Sequence, residues 1–501
     1  MYEKGIIMSK LLDNANAYIQ KNKDRTKNHP KFHYSPPIGW MNDPNGLCYY
    51  NGEYHLYYQH NPYKIHWDLM YWGHATSRNL LQWQDHPVAL APEEAYELDG
   101  CFSGSAIEID DKLYLMYTGH LDREGVVLQN QNIAISHDGI TFEKHTDNPV
   151  LDAKDLPQGA LAQDFRDPKV FKYKDTYWSV IVGRPEEVGG AVLLYRSEDM
   201  LHWDYVGVLA KSDQGKQEIW ECPDLMTLNQ EEVLIYSIIE LAKDDGKTVR
   251  PNMHPTEYKL GKVDLEEAYG DWHTTRDLDC GFNFYAPQTF VDPSGERIMI
   301  GWISPWDGDE EVRIDNGWAG LMSIPRVLSV DQGWLIQQPI EAIKDLRKDD
   351  GIRIQEAMLY NESKAFDTMN GQHFDLSFTV DISEAREFCI EIAKGKACTT
   401  SLTYDVVGQE WIFDRRNNGE KNMLPMTANN QWYGLRTIRQ ERAIKTMDVR
   451  VLMDRYSVEI FADGGRRVFT ALIDPHEDGE NIVFSSRGKS TLYNVEFYSL
   501  I

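Results

Sequence analysis

Three short runs place carboxylates where a strand would not ordinarily carry them: WMNDPNG at 40–46, FRDPKVF at 165–171 and WECPDL at 220–225. Asp43, Asp167 and Glu221 stand there among aromatic and apolar neighbours, although acids are poor strand formers. Alone, Asp43-Pro44 or Asp167-Pro168 would read as a turn. With Glu221-Cys222-Pro223 at the corresponding point of a third unit, turns no longer account for all three. Three acids around one pocket suit glycoside hydrolysis. One is ionised to attack or to stabilise an oxocarbenium-like centre, and another is protonated to donate to the leaving oxygen. Burial and like charge can hold two such carboxyls in different protonation states. Calcium is the competing ligand for three acids. Against it, Arg166 directly precedes Asp167, and no DxDxDG-type loop supplies backbone carbonyls. Around the acids, Trp40, Trp67, Trp72, Phe102, Trp220 and Trp302 offer faces for sugar C–H groups, and Asn42, Gln59, Ser103 and Arg166 offer groups for hydroxyls. Each aromatic has the plainer alternative of packing inside a sheet. A lectin would use the same aromatics, with less reason to converge three acids.

Residues so distant in sequence need a fold that gathers them. Strand-like runs behind a turn recur at 51–61, 110–120, 173–183, 229–239 and 294–304, and each follows another short strand candidate. Five such units, each of about four strands, predict a five-bladed β-propeller. A two-sheet sandwich is the alternative reading of the same periodicity. In a propeller the first strand of each unit lines the axis, which turns five remote positions into one site. Twelve of the fourteen tryptophans precede residue 340. That shift in composition sets the propeller at 33–345, followed by a linker with a crossing strand at 346–364. Beyond it, alternation at period two over many short runs predicts a β-sandwich at 365–501, with Asp463-Gly464-Gly465 as a tight turn. Ile7, Leu11, Leu12, Ala15 and Ile19 recur at helical spacing, so the arm 1–32 reads as a helix over about 7–24, with a simple extended basic arm as the alternative. The fold class is all-β.

Composition narrows the partners. The 501 residues hold 51 Lys+Arg against 79 Asp+Glu, a formal charge of −28. Neither a nucleic acid backbone nor an anionic membrane surface suits such a chain, although one local basic pocket for a phosphorylated small molecule is compatible with it. The six cysteines form no CxxC and no Cys/His group at zinc spacing, so neither a structural metal nor a disulfide framework is expected. The N-terminus shows no apolar core of a secretion signal, and no stretch approaches 18 apolar residues. These features predict a soluble cytoplasmic protein.

Together with FSGSA at 102–106, WGHATS at 72–77 and FYAPQTF at 284–290, the acidic motifs resemble those of the β-fructosidases of glycoside hydrolase family 32 over about residues 30–501. The resemblance implies a five-bladed propeller joined to a C-terminal β-sandwich and retention of configuration at fructose C2. It implies Asp43 as nucleophile, Glu221 as general acid/base and Asp167 as transition-state stabiliser, with no cofactor and no metal. It further implies that Asn42, Gln59, Trp67, Phe102, Ser103 and Arg166 contact the fructosyl unit. Retention predicts that Asp43 and Glu221 face each other at about 5–5.5 Å. Two departures stand out: His60 beside Gln59, and HTTRDLDC at 273–280, both expected to bear on what lies beyond the fructose. The implied partner is a small-molecule fructoside such as sucrose, sucrose 6-phosphate or a short fructo-oligosaccharide. A fructosyltransferase shares the first half-reaction, and inverting arabinanase-like propellers share the three acids. Neither substrate phosphorylation nor oligomeric state is legible in the sequence.

Overall fold

Two-residue turns between alternating runs give the chain its hairpins. Asn51-Gly52 and Asp110-Asp111 take φ values of 50° and 87°, and of 49° and 59°, which a tight hairpin linking twisted strands demands. The computed structural model describes residues 10–213, 215, 218–240, 254–303, 316–348, 350–418 and 434–501. In it, five small antiparallel sheets form a five-bladed β-propeller, followed by a β-sandwich, as the repeats and the later alternation predict. The innermost strands are Gly39–Tyr50, Cys101–Ile109, Arg166–Tyr173, Glu218–Leu228 and Phe284–Val291. Neighbouring inner strands pack on one another round the axis, and the fifth returns to the first. The ring is tied where Gly39 and Trp40 pair in parallel with Trp318 and Ala319, so both ends of the propeller contribute to the first blade.

The inner strands share one irregularity. Pairing with the second strand of the blade shifts register between Met41 and Pro44, Phe102 and Gly104, Glu221 and Asp224, and Tyr285 and Gln288. In the third blade the shift lies opposite Val180–Val182, between Arg166 and Lys169. Four of these bulges hold an X-Pro pair: Asp43-Pro44, Asp167-Pro168, Cys222-Pro223 and Ala286-Pro287. Proline has no N–H for a ladder, and a bulge is where a central strand tolerates it. Asp167, Cys222 and Ala286 there adopt φ of 60°, 48° and 49°. A left-handed backbone at non-glycine residues costs about 1–3 kcal/mol each and needs firm surroundings.

Before the propeller, a helix spans Lys10–Asn22; residues 7–9 of the expected helix lie outside the described residues. Ala15 and Ile19, with Leu11 and Leu12, pack on Ile38, Tyr71, Val88 and Ala91. After the propeller, Ile352–Asn370 is a strand paired with Asn481–Ser499, so much of the 346–364 segment is built into the sandwich rather than hanging between domains. The strand Phe374–Lys394 pairs with Thr446–Asp454 in its first half and with Thr399–Asp405 in its second, bending between two layers. Leu376, Phe378, Ile390 and Phe484 fill the space between them.

The two domains meet through a buried charged cluster. Arg326 forks onto Glu459 (Nη2 to Oε2, 2.5 Å) and donates from Nη1 to Asp279 (3.2 Å). His33 spans the same junction, with Nδ1 3.1 Å from Asp454 and Nε2 3.0 Å from Glu459. Burial alone would lower the imidazole pKa, but hydrogen bonds to Asp454 and Glu459 overcome it and push it up to about 9. Folded His33 therefore holds a proton that the unfolded chain loses near pH 6.5. Its stabilisation is complete below that value and disappears as pH rises through about 9. Replacing His33 with alanine removes one partner from each of two buried carboxylates, although Glu459 keeps Arg326 and Asp454 keeps backbone N–H donors, with an expected loss of about 1.5–3 kcal/mol at pH 7. Calorimetry at pH 6 and pH 10 checks this: the wild type loses more of its melting temperature over that interval than the variant does.

Candidate active site

The five bulges aim side chains into the axis in two tiers. Asp43, Ser103, Asp167, Cys222 and Ala286 form the deeper one. Ser103 Oγ donates to Asp43 Oδ2 at 2.6 Å, and Asn42 Nδ2 donates to Oδ1 at 3.1 Å. The Cys222 sulfur stands between the two aspartates, 3.4 Å from Asp43 Oδ2 and 3.6 Å from Asp167 Oδ2. Burial and the charges of Asp167 and Asp43 push its thiol pKa far up, so it keeps a proton to share. Asp167 Oδ2 also accepts the Cys222 N–H at 2.9 Å, while the N–H of Asp167 donates to Thr118 Oγ1 at 2.9 Å.

Glu221 lies one residue ahead of this tier. Asp43-Pro44 and Asp167-Pro168 align with Cys222-Pro223, so the expectation that all three acids occupy corresponding points holds for two of them. The third stands level with Arg166, whose Nε and Nη2 reach Glu221 Oε1 at 3.2 and 3.1 Å. The Tyr285 hydroxyl donates to Glu221 Oε2. One acid is thus held by a cation and a phenol, and two lie beneath it among a thiol and hydroxyls. Burial raises the Asp43 pKa to about 6, and Glu221 adds to the shift, while the bonds from Ser103, Asn42 and Cys222 oppose it. Asp167 is also raised, mainly by burial, with Arg166 opposing. Arg166 stays cationic: burial disfavours its charge, but Glu221, Asp167 and Asp164 hold it.

The other expected contacts divide by depth. Trp67 is 43% exposed at the rim and meets Phe102 edge-on at 5.9 Å. Asn42 braces Asp43 and accepts from Trp40 Nε1 at 2.7 Å. Gln59 is buried, with Nε2 donating to the Cys101 carbonyl at 3.0 Å. Trp302 is 0% exposed and sits edge-on behind Trp40 at 5.6 Å, so it backs the pocket wall and offers no open face to a sugar. Trp72 and Trp220 are likewise core residues: Trp72 Nε1 donates to the Phe102 carbonyl, and Trp220 stacks on Tyr236 at 4.0 Å. Of the two departures, His60 is buried with Nδ1 2.8 Å from the Trp40 carbonyl, and Arg276 of the 273–280 segment pairs with Glu441 of the sandwich. Both serve packing.

Tyr285, Cys222 and Gln129 take part in the site without having been singled out. Tyr285 lies in the FYAPQTF run; nothing about a tyrosine in a strand foretells a partner 64 residues away. Below the acids the axis narrows to a void of about 10 Å³ between Ser103, Asp167, Cys222 and Ala286, room for one water at most. Lys169 closes it further down, paired with Asp224 at 3.0 Å. The pocket is blind. Among the described residues, no group of three or more His, Cys, Asp or Glu is arranged to hold a metal ion, and no helix is long and apolar enough to cross a membrane.

Comparison with known proteins agrees with this architecture. Residues 33–339 match the glycosyl hydrolases family 32 N-terminal domain, and residues 342–499 match the family 32 C-terminal domain. The chain is 31% identical over 502 residues to a sucrose-6-phosphate hydrolase of Escherichia coli, covering 97% of this chain and 98% of that protein. It is 33% identical over 508 residues to a raffinose invertase of Escherichia coli, with coverage of 97% and 98%. Among solved structures, a Bombyx mori GH32 β-fructofuranosidase in complex with sucrose superposes with a TM-score of 0.80 at 32% identity over 97% of both chains. A sucrose-6-phosphate hydrolase from Lactobacillus gasseri gives 0.80 at 28% identity over 100% of this chain and 97% of that one. With both domains matched around a blind pocket that holds three acids, the chain belongs to glycosyl hydrolase family 32.

Proposed function

We propose that Asp43 attacks C2 of a terminal β-D-fructofuranosyl group while Glu221 protonates the departing oxygen, and that Glu221 then takes a proton from the water that hydrolyses the fructosyl-enzyme. As a family 32 enzyme the protein is a retaining β-fructofuranosidase-type hydrolase. The observation that carries the assignment of roles is the two-tier ring. Asp43 lies deep, with hydroxyl, amide and thiol donors that favour its ionised form. Glu221 stands above it, toward the open end where a leaving group would sit. Asp167, beside Arg166, takes the ring hydroxyls and strengthens its hold as positive charge develops at C2. A blind pocket supports action on chain ends, since a continuing polymer has no exit below the acids.

Sucrose, sucrose 6-phosphate and short fructo-oligosaccharides are the proposed substrates, in keeping with relatives named sucrose-6-phosphate hydrolase and raffinose invertase. All six cysteines are free thiols, which supports a reducing, cytoplasmic setting. The test of the mechanism is the anomer first released from sucrose, followed by NMR before mutarotation. β-Fructofuranose is expected. α-Fructofuranose would mean single displacement and would remove Asp43 from the nucleophile's role.

A further inference from the structure

Phe102 carries a second ring that the reaction as described does not use. The His120 imidazole lies parallel to it, with centroids 4.1 Å apart and planes 8° from parallel, on the face of the pocket where Trp67 meets Phe102 edge-on. His120 belongs to the strand Lys112–Arg123 and is half-buried. Its Nδ1 is 3.3 Å from Gln129 Nε2, and Gln129 Oε1 accepts from Arg166 Nη1 at 3.3 Å. Arg166 has donors only, so the amide must turn its oxygen toward the guanidinium and its NH₂ toward His120. Nδ1 then accepts, and the imidazole proton resides on Nε2. Burial lowers the pKa of His120 and Arg166 adds to this, against the opposing carboxylates of Asp99 and Asp122, which favours the neutral ring. Among the described residues Nε2 has no hydrogen-bond partner. The ring stacked on Phe102 thus carries an N–H whose tautomer is set by a relay from Arg166 and which the reaction as described does not use.

We propose that His120 is a further substrate contact, donating from Nε2 to a sugar hydroxyl at the rim, and that Gln129 is a positioning residue that fixes both this tautomer and the fork of Arg166 on Glu221. The proposal rests on the reading of Arg166 and Glu221 given above. It predicts a split between kinetic constants. His120→Phe keeps a ring against Phe102 but removes both nitrogens, so KM for sucrose rises about tenfold while kcat falls less than about threefold. His120→Gln restores an N–H donor without the ring and brings KM back to within about threefold of wild type. Gln129→Leu touches no substrate and acts through Arg166, so kcat falls about tenfold with a smaller change in KM. Because the two residues form one relay, the double variant His120→Phe/Gln129→Leu loses less kcat/KM than the product of the single losses.

The experiment is steady-state kinetics of these four variants on sucrose, each verified as folded by its melting temperature. A His120→Phe KM within twofold of wild type, or a folded His120→Gln no better than His120→Phe, overturns the contact. Strictly multiplicative losses in the double variant overturn the relay. Glu221→Gln assayed alongside separates the two levels: if it turns over like wild type, the underlying assignment of the site has failed, whatever His120 does.

Discussion

Asp43→Asn stops turnover of sucrose, by about 10⁴-fold or more, and at neutral pH makes the protein more stable. The first effect follows from the chemistry. An amide oxygen does not form the fructosyl ester, and neither Asp167 nor Glu221 stands at its place in the ring. The second follows from electrostatics. Asp43 is buried with Glu221 nearby, and its carboxyl pKa is raised to about 6 from 3.8. A folded-state pKa above the unfolded value means that this group favours folding below pH 4 and that the advantage is lost as pH rises through about 6. Ionised Asp43 is therefore a load on the fold at pH 7, retained for function. The neutral amide removes it, raising the melting temperature by about 1–2 °C at pH 7 and by nothing at pH 4. Single-turnover fructose release and calorimetry at the two pH values measure both halves. Residual turnover within about a hundredfold of wild type would assign the nucleophile elsewhere. A variant less stable at pH 7 would mean that the bonds from Ser103 and Asn42 outweigh the burial of charge. The same titration sets the acid limb of kcat/KM near pH 6, because attack needs the carboxylate.

The propeller was legible because its signal is local and repeated. A two-residue turn between β-rich runs needs no distant partner, and five copies of it announce a ring. The acids drew notice because they break a strand pattern beside X-Pro pairs that sequence alone reads as turns; the bulges that hold those pairs, and the fourth pair Ala286-Pro287, emerge only from the pairing register. What the repeat could not show was the phase of the third acid. Glu221 precedes its X-Pro pair, whereas Asp43 and Asp167 belong to theirs, and only the arrangement of bulges separates the tiers. Tyr285 on Glu221 and Gln129 on Arg166 meet across blades after closure, at sequence separations of 64 and 37. Trp302 was misread for a different reason. A tryptophan beside a site looks the same in sequence whether it faces the sugar or backs the wall, and here Trp40 and Tyr285 stand in front of it. The junction of the domains was beyond reach altogether, since His33 meets Asp454 and Glu459 across more than 420 residues.

Glu221→Ala is expected to separate the two half-reactions and to admit a foreign nucleophile. On sucrose the variant loses about 10²–10⁴-fold in kcat, the usual worth of a general acid and base. A fructoside with a phenolic leaving group needs little protonation, so Asp43 still displaces it. Water then attacks slowly without a base, and the fructosyl-enzyme accumulates, visible as a burst of phenol followed by a slow steady state. Removing the carboxylate also leaves behind what held it. Arg166 Nε and Nη2 lose their acceptor, and the Tyr285 hydroxyl loses its own, on opposite sides of the vacated space. Arg166 keeps Asp164 and Gln129 on Nη1, but its Nε and Nη2 face the gap together with a phenol that has lost its acceptor, and such a set of donors favours a small anion. Azide is expected to bind there and attack C2, displacing the Asp43 carboxylate to give β-fructofuranosyl azide, because a second inversion restores the original configuration. Glu221→Gln should behave differently. Its amide oxygen can still accept from Arg166 and its nitrogen can donate to Tyr285, so no anion site opens and azide does not rescue it. The product anomer by NMR, and the steady-state rate against azide concentration in both variants, decide the matter. An α-azide, or equal rescue of the alanine and glutamine variants, would show that the anion arrives by another route and that Glu221 does not stand where the attacking water must be activated.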